Sequence, residues 1–362
     1  MSRLAVRLAE RIRREGPLSV ADYMAAALTD PDDGYYTRRD PLGTAGDFVT
    51  APEISQMFGE LIGAWCVGCW HGMGRPDPFA LAELGPGRGT LMADILRVSA
   101  LDPGFRSAAR IHLVEASPVL QQSQRTALRD VPATWHRTCD GLPALPLLAV
   151  ANEFLDALPV RQFEMTADGW RERLVDIVPD MADAGSPRFR FVLSAPLSPG
   201  ALPVPDDAPA GTLAETCPQG RDLVSSLAGH IVAHGGATLI VDYGYDHGSG
   251  DTLQAVRAHR FANFLADPGS ADLTAHVDFA ALAAAAAAAG ARLHGVVGQG
   301  RFLRNLEIEA RATVLKAGAT AAQGRDIDAA LRRLIADEEM GTLFKVMAIA
   351  APALPEPAGF AR

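Results

Sequence analysis

No apolar run in this chain reaches the roughly 20 residues that cross a bilayer as a helix, so a membrane-spanning role is not expected. Cysteine is scarce: four residues in 362 do not make a disulfide framework. Cys66 and Cys69 form a C-x-x-C, but no second pair follows and His71 is the only nearby further ligand type. Structural zinc takes four ligands, so the pair reads as two buried cysteines on one helix face and no metal is expected. No G-x-S-x-G serine occurs, and the scattered histidines build no catalytic set with one, which leaves acyl transfer without support. Positive charge is outweighed: 33 Lys and Arg stand against 43 Asp and Glu, a net charge of −10. Phosphate backbones demand a basic face, so nucleic acid is not expected as the main partner. An acidic surface suits a basic peptide, and it equally suits plain solubility.

What is present is a normal globular composition, 48% hydrophobic and 21% charged, long enough for one large domain or two ordinary ones. Arg3, Arg7, Arg11, Arg13 and Arg14 give the start a faint look of a transit peptide. Glu10 and Glu15 count against that, and a surface helix is the simpler reading. The expected location is a cytoplasmic, reducing one.

The most informative stretch runs from Ala82 to Thr90, AELGPGRGT. The apolar run Phe79-Ala80-Leu81 stops at Glu83, glycines follow at 85, 87 and 89, and an amphipathic helical pattern starts at Thr90. Strand, glycine turn and helix make a nucleotide-type site: glycine allows φ > 0 and close approach of a ligand, and the helix start offers free N–H groups. In dinucleotide sites the acidic residue for ribose comes about 20 residues after the glycines, and pyrophosphate sits at the helix start. Here Glu83 lies just before the first glycine. It would repel a pyrophosphate and hold a cation, so S-adenosylmethionine, with its ammonium and sulfonium, is the better ligand. Glu115 ends the next apolar run (Ile111-His112-Leu113-Val114) and is placed to accept from two ribose hydroxyls. An ordinary turn is the bland alternative for a glycine triplet taken alone.

Strand patterns lie at 79–83, 111–115, 147–152, 237–242, 291–297 and 343–350, with helical patterns at 90–100, 118–129, 220–234, 279–289 and 303–338. Ser117-Pro118 and Asp278 mark helix starts. This alternation predicts an α/β fold with a mostly parallel, Rossmann-like sheet covered on both faces. Residues 1–75 read as N-terminal helices with a substrate or cofactor loop at 43–53. Residues 76–160 and 220–362 read as the core. Residues 161–219, with eight prolines between 179 and 218, read as an insertion of hairpins and loops.

Beyond the glycine loop, a buried strand ends in Asn152-Glu153. Ligands of open α/β sheets sit outside the carboxyl ends of the strands, so Glu83, Glu115 and Glu153 would gather at one crevice. Helix capping by Asn152 and Asp156 is the alternative. Asp140 would accept from an adenine amino group or else serve a turn, and Asp242 or Tyr243 would line an acceptor pocket.

With these residues in view, the chain resembles the MidA-type S-adenosylmethionine-dependent methyltransferases. The shared stretches are GDFVTAPEISQMFGELI (46–62), ELGPGRGTLMADILR (83–97), VEASPVL (114–120), NEFLDALPV (152–160), DYGY (242–245), ADLTAHVDF (271–279) and MGTLFKVMA (340–348). They cover most of the chain in the family's order. The resemblance implies a seven-stranded methyltransferase sheet whose last strand is antiparallel. It also implies an arginine acceptor on a protein, since mitochondrial members assist respiratory complex I assembly by methylating an arginine. On this reading Glu153 binds the acceptor guanidinium, with Glu53 as its partner and Asn152 beside them. Glu83 orients the methionine ammonium. Gly85, Pro86, Gly87 and Gly89 make room for the methionine part, and Glu115 holds the ribose, with Ser117, Asp140 and Asn152 completing the cofactor contacts. The 303–338 stretch departs from the minimal plan and is read as packing or a homodimer contact. The rivals are a non-catalytic cofactor-binding assembly factor, a small-molecule methyltransferase and an NAD(P)-dependent oxidoreductase.

Overall fold

The segment LLAVAN at Leu147–Asn152 is buried along its whole length, as is FALAEL at Phe79–Leu84. Strands without a polar face need cover on both sides, and they find it in the middle of a central sheet. In the computed structural model, which describes residues 2–38, 50–129, 131–179, 187–202, 204–248 and 250–361, seven strands run in sequence across that sheet, and an eighth, the two-residue Val277–Asp278, pairs beside the path with Gly244 and Tyr245. The seven are β1 (Phe79–Leu84), β2 (Ala109–Val114), β3 (Ala133–His136), β4 (Leu147–Asn152), β5 (Gly236–Tyr245), β6 (Arg292–Gly298) and β7 (Phe344–Ala350). Their spatial order is β6-β7-β5-β4-β1-β2-β3, with β7 antiparallel to both neighbours and the pairs β5-β4, β4-β1, β1-β2 and β2-β3 parallel. This is the expected α/β sheet with its antiparallel last strand.

The register decides where function can sit. Leu84 pairs with Val114 and with Ala151, and Asn152 pairs with Val241. The carboxyl ends of β1, β2 and β4 are therefore level beside Val241 of the longer β5, and the residues just past those three ends share one rim. Helices Gln56–Gly72, Thr90–Ser99, Pro118–Leu128, Pro218–His234 and Phe279–Ala288 cover the sheet. Their starts follow the expected capping chemistry: Ser117 Oγ accepts from Leu120 N with Pro118 behind it, and Asp278 accepts from Ala281 N.

Two features depart from the sequence reading. The N-terminal helices Arg3–Glu15 and Val20–Thr29 do not share a core with helix Gln56–Gly72. They pack on a five-stranded antiparallel sheet drawn from Leu18–Ser19, Arg161–Thr166, Gly169–Ile177, Phe189–Pro196 and Leu213–Thr216, through Leu8, Tyr23, Val175 and Phe189. Helix Gln56–Gly72 instead buries Phe58, Ile62 and Trp65 in the central core. The other departure lies at 303–338, which is not one helix. It breaks into Gln299–Asn305, Ile308–Ala317 and Ala321–Ile335, with Glu307 at φ 65° between the first two and a Thr320–Gln323 capping box starting the third. Residues 43–49 of the loop and 180–186 in the centre of the insertion lie outside the described residues.

Candidate active site

All three glycines of the loop after β1 lie in the left-handed region: φ is 63° at Gly85, 53° at Gly87 and 86° at Gly89. At Gly85 a side chain is excluded twice over, because a Cβ there would stand 2.6 Å from the Phe154 ring. Gly85→Ala is expected to lose about 1–3 kcal/mol of stability from backbone strain alone, and to weaken S-adenosylhomocysteine binding as Phe154 is displaced. Gly68→Ala is the control, since its helical backbone is unstrained and nothing lies within 4 Å of the new Cβ. Denaturant melts of both variants check this; equal midpoints would contradict it.

The loop forms one wall of a cavity of about 690 Å³ at the level strand ends. That is ample for a nucleoside-sized ligand. Glu83, Gly85, Pro86 and Gly87 line it from β1. Gly89 does not; it caps the helix Thr90–Ser99, and its N–H donates to Pro86 O at 2.7 Å, which closes the turn. Glu83 is almost fully buried, and burial pushes its carboxyl up to about 8, with Glu115 and Asp94 adding to the shift and the Met92 N–H opposing it. Its Oε2 has no hydrogen-bond partner among the described residues, and neither has Oδ1 of Asn152, which lines the same cavity. Two buried acceptors without donors fit a ligand that brings N–H groups and positive charge, such as the ammonium of a methionine moiety.

Glu115 lies just past the end of β2. Its Oε1 accepts from Ser117 N at 2.7 Å and its Oε2 from Gln124 Nε2 at 3.1 Å. Burial pushes this carboxyl up to about 7, against those two bonds. Ser117 lines the cavity, but its hydroxyl is committed: it caps the helix Pro118–Leu128 and donates to the carbonyl of Tyr36 at 2.7 Å. That bond ties the N-terminal segment, whose Leu28, Thr29 and Tyr36 also line the cavity, to the end of β2. Asp140 is not brought to the site. It is exposed on the short turn Cys139–Gly141, near Thr138 Oγ1, while its neighbours Arg137, Thr138 and Cys139 line the cavity.

The third group follows β4. Glu153 holds φ 51°, a strained conformation for a residue with a side chain, and such strain concentrates at functional positions. Its Oε1 accepts from Ala51 N at 2.8 Å and from Asn152 Nδ2 at 3.0 Å, and burial pushes its carboxyl up to about 7. Glu53, on the adjoining turn Ala51–Ile54, accepts from Thr90 Oγ1 at 2.6 Å. Both carboxylates line the cavity. The chain thus brings residues 53, 83, 115 and 153 to one site from four separate places.

Asp242 and Tyr243 are a correction. Asp242 is wholly buried and does not line the cavity. Its Oδ2 accepts from the backbone N–H of Phe154, Leu155 and Asp156, at 2.9 to 3.2 Å, and Oδ1 accepts from Tyr243 N. A carboxylate with this many N–H donors serves as a staple; here it fixes the turn that presents Glu153. Tyr243 turns away toward His276 and Phe344. The sequence reading also missed Thr90 and Gln124, although Thr90 follows the glycine loop directly. Cys66 and Cys69 sit in the core, where burial raises both thiols, Cys66 to about 12. Among the described residues no group of three or more His, Cys, Asp or Glu could hold a metal ion, and no helix is long and apolar enough to cross a membrane.

Comparison with known proteins agrees with this geometry. The family model for S-adenosyl-L-methionine-dependent methyltransferases matches residues 61–297. A mouse (Mus musculus) protein named protein arginine methyltransferase NDUFAF7, mitochondrial, is 39% identical over 94% of this chain and 82% of its own length. The Drosophila melanogaster homolog is 39% identical over 96% of this chain and 84% of its own. The crystal structure of a COG1565 superfamily member from Burkholderia thailandensis bound to S-adenosyl-homocysteine superposes with a TM-score of 0.83, at 29% identity, over 99% of this chain and 94% of that one. These relatives overturn one expectation: the arginine methyltransferases among them are named as mitochondrial proteins, so the cytoplasmic assignment drawn from the cysteines and the arginine-rich start does not stand.

Proposed function

We propose that this chain, which belongs to the S-adenosylmethionine-dependent methyltransferases, transfers its methyl group to an arginine side chain of a protein. The carrying observation is the Glu53–Glu153 pair. Each carboxylate lines the cofactor cavity, and in each one oxygen is held by a donor of the protein, Thr90 Oγ1 or Ala51 N. A guanidinium, planar and forked, matches carboxylate oxygens by paired hydrogen bonds. The names of the curated relatives, protein arginine methyltransferases, support the same acceptor.

Arginine is a poor nucleophile because its guanidinium stays protonated, with a pKa above about 12. S-Adenosylmethionine supplies an electrophilic methyl on a sulfonium, whose departure leaves a neutral thioether. The protein's task is then positioning and charge control. Glu153 and Glu53 bind the ion and draw its positive charge away from the attacking nitrogen. Glu153 also stands ready to take the proton that the methylated nitrogen releases. Asn152 holds Glu153 through its Nδ2 while offering Oδ1 to the ammonium of the donor. Glu83 meets that same ammonium, Glu115 the ribose hydroxyls, and Pro86 and the glycines give the methionine part its room.

A pH dependence follows with a definite sign. Glu153 acts ionised, and burial sets its carboxyl at about 7. Transfer at saturating donor should therefore rise as pH increases through about 7 and level off above it. Initial rates on an arginine-containing protein acceptor, from about pH 5.5 to 8.5, measure this. Parallel assays with arginine-free acceptors test the substrate class. A rate that falls through this window, or equal transfer to arginine-free acceptors, contradicts the reading.

A further inference from the structure

Gln124 is completely buried on helix Pro118–Leu128, directly behind the Glu115 carboxylate. From Nε2 it donates to Glu115 Oε2 at 3.1 Å and to the carbonyl of Gly87 at 2.8 Å. Its Oε1 accepts from Trp135 Nε1 at 2.9 Å. An indole N–H can only donate, so the amide oxygen must face Trp135 and both Nε2 protons must face the carbonyl and the carboxylate. One side chain thereby joins three segments of the cofactor site: the glycine loop, the end of β2 and strand β3. The close approach is built into the backbone, since a Cβ at Gly89 would lie 3.3 Å from Gln124 Cα. Outside, the Arg125 guanidinium covers the Trp135 ring at 3.8 Å and holds the indole in place.

We propose that Gln124 is a positioning residue for the cofactor: it keeps Glu115 an ionised, correctly aimed acceptor for the ribose hydroxyls and locks the glycine loop to it. This rests on the reading of Glu115 as the ribose acceptor. A buried carboxylate needs a donor for each oxygen, and here Ser117 N supplies one and Gln124 the other. Burial already sets Glu115 at about 7, with both bonds opposing the rise. Without Gln124 the protonated form gains, and a protonated carboxyl offers the ribose a donor where an acceptor is wanted. The titratable and charged groups on the elements packed around Glu115 are Glu83 on β1, the His112–His136 pair on β2 and β3, Arg88 in the glycine loop, Arg125 on the helix, and Tyr36 and Arg137 at the cavity wall. None of them lies between Gln124 Nε2 and Glu115 Oε2, which are in direct contact.

The test is S-adenosylhomocysteine affinity by calorimetry from about pH 5.5 to 8.5, on the full chain. Wild type should gain affinity along a limb with its midpoint near 7, separate from the limb near 8 that Glu83 gives every variant. Gln124→Leu should bind about tenfold more weakly near neutrality and move that midpoint up by about one unit. Glu115→Gln should lose the limb near pH 7 altogether. If Gln124→Leu is weakened but keeps the wild-type midpoint, the residue is only packing and the proposal falls. If Glu115→Gln matches wild type in affinity and profile, the ribose reading itself fails. Should Gln124→Leu not fold, Trp135→Phe carries the test. It removes the donor that fixes the amide, so the midpoint should move up by less, and an unmoved midpoint overturns the proposal.

Discussion

Glu153→Gln is expected to bind S-adenosylhomocysteine within about twofold of wild type and to lower methyl transfer at least about 100-fold. The substitution is isosteric, and its amide oxygen can still accept from Ala51 N and Asn152 Nδ2, the two bonds that hold the side chain. The turn carrying it is stapled separately by Asp242, so the fold has no reason to change. What is lost is negative charge beside the acceptor and the base for its proton, both needed more in the transition state than in the ground state. Rapid calorimetric binding with transfer near wild type would place the acceptor elsewhere. Parallel loss of binding and transfer would instead make Glu153 a cofactor residue.

The second large effect is on binding. Glu115→Ala is expected to weaken S-adenosylhomocysteine affinity by about 10- to 100-fold, the worth of hydrogen bonds between a charged acceptor and neutral donors at about 1.5–3 kcal/mol. It also strips the partner from two buried donors, Ser117 N and Gln124 Nε2. A fall in melting temperature should accompany the weaker binding. Calorimetry decides it, and unchanged affinity would remove Glu115 from the ribose.

Most of the central sheet was legible because its signals are local. A continuous apolar run, an acidic end and a glycine turn are all written within about ten residues, and they locate β1, β2 and β4 together with Glu83, Glu115 and Glu153. Capping serines and aspartates gave helix starts for the same reason. What stayed hidden depends on partners far away in the chain. Leu18–Ser19 is a strand only because Leu174 and Val175 accept it as a neighbour. The short strands Gln254–Arg257, Arg260–Phe261 and Asp272–Thr274 are too brief to show any alternation. Asp242 ends the apolar run of its strand much as Glu83 does, and nothing in its local sequence says that it turns inward to backbone N–H groups. Gln124 reads as one more polar residue on an amphipathic helix until Trp135, Gly87 and Glu115 are seen around it. Location was misjudged because few cysteines carry no address: a cysteine-poor chain whose arginine-rich start only faintly looks like a transit peptide is compatible with more than one compartment.

The central claim is that two carboxylates at the rim of a methyl-donor cavity receive the guanidinium of a protein arginine. The most direct measurement incubates the purified protein with methyl-labelled S-adenosylmethionine and a protein extract, hydrolyses the labelled proteins and identifies the modified amino acid. Label recovered as methylarginine, and absent when Glu153→Gln replaces wild type, is the predicted result. Label in a different amino acid or confined to small molecules, or methylarginine formed at the wild-type rate by Glu153→Gln, would contradict it.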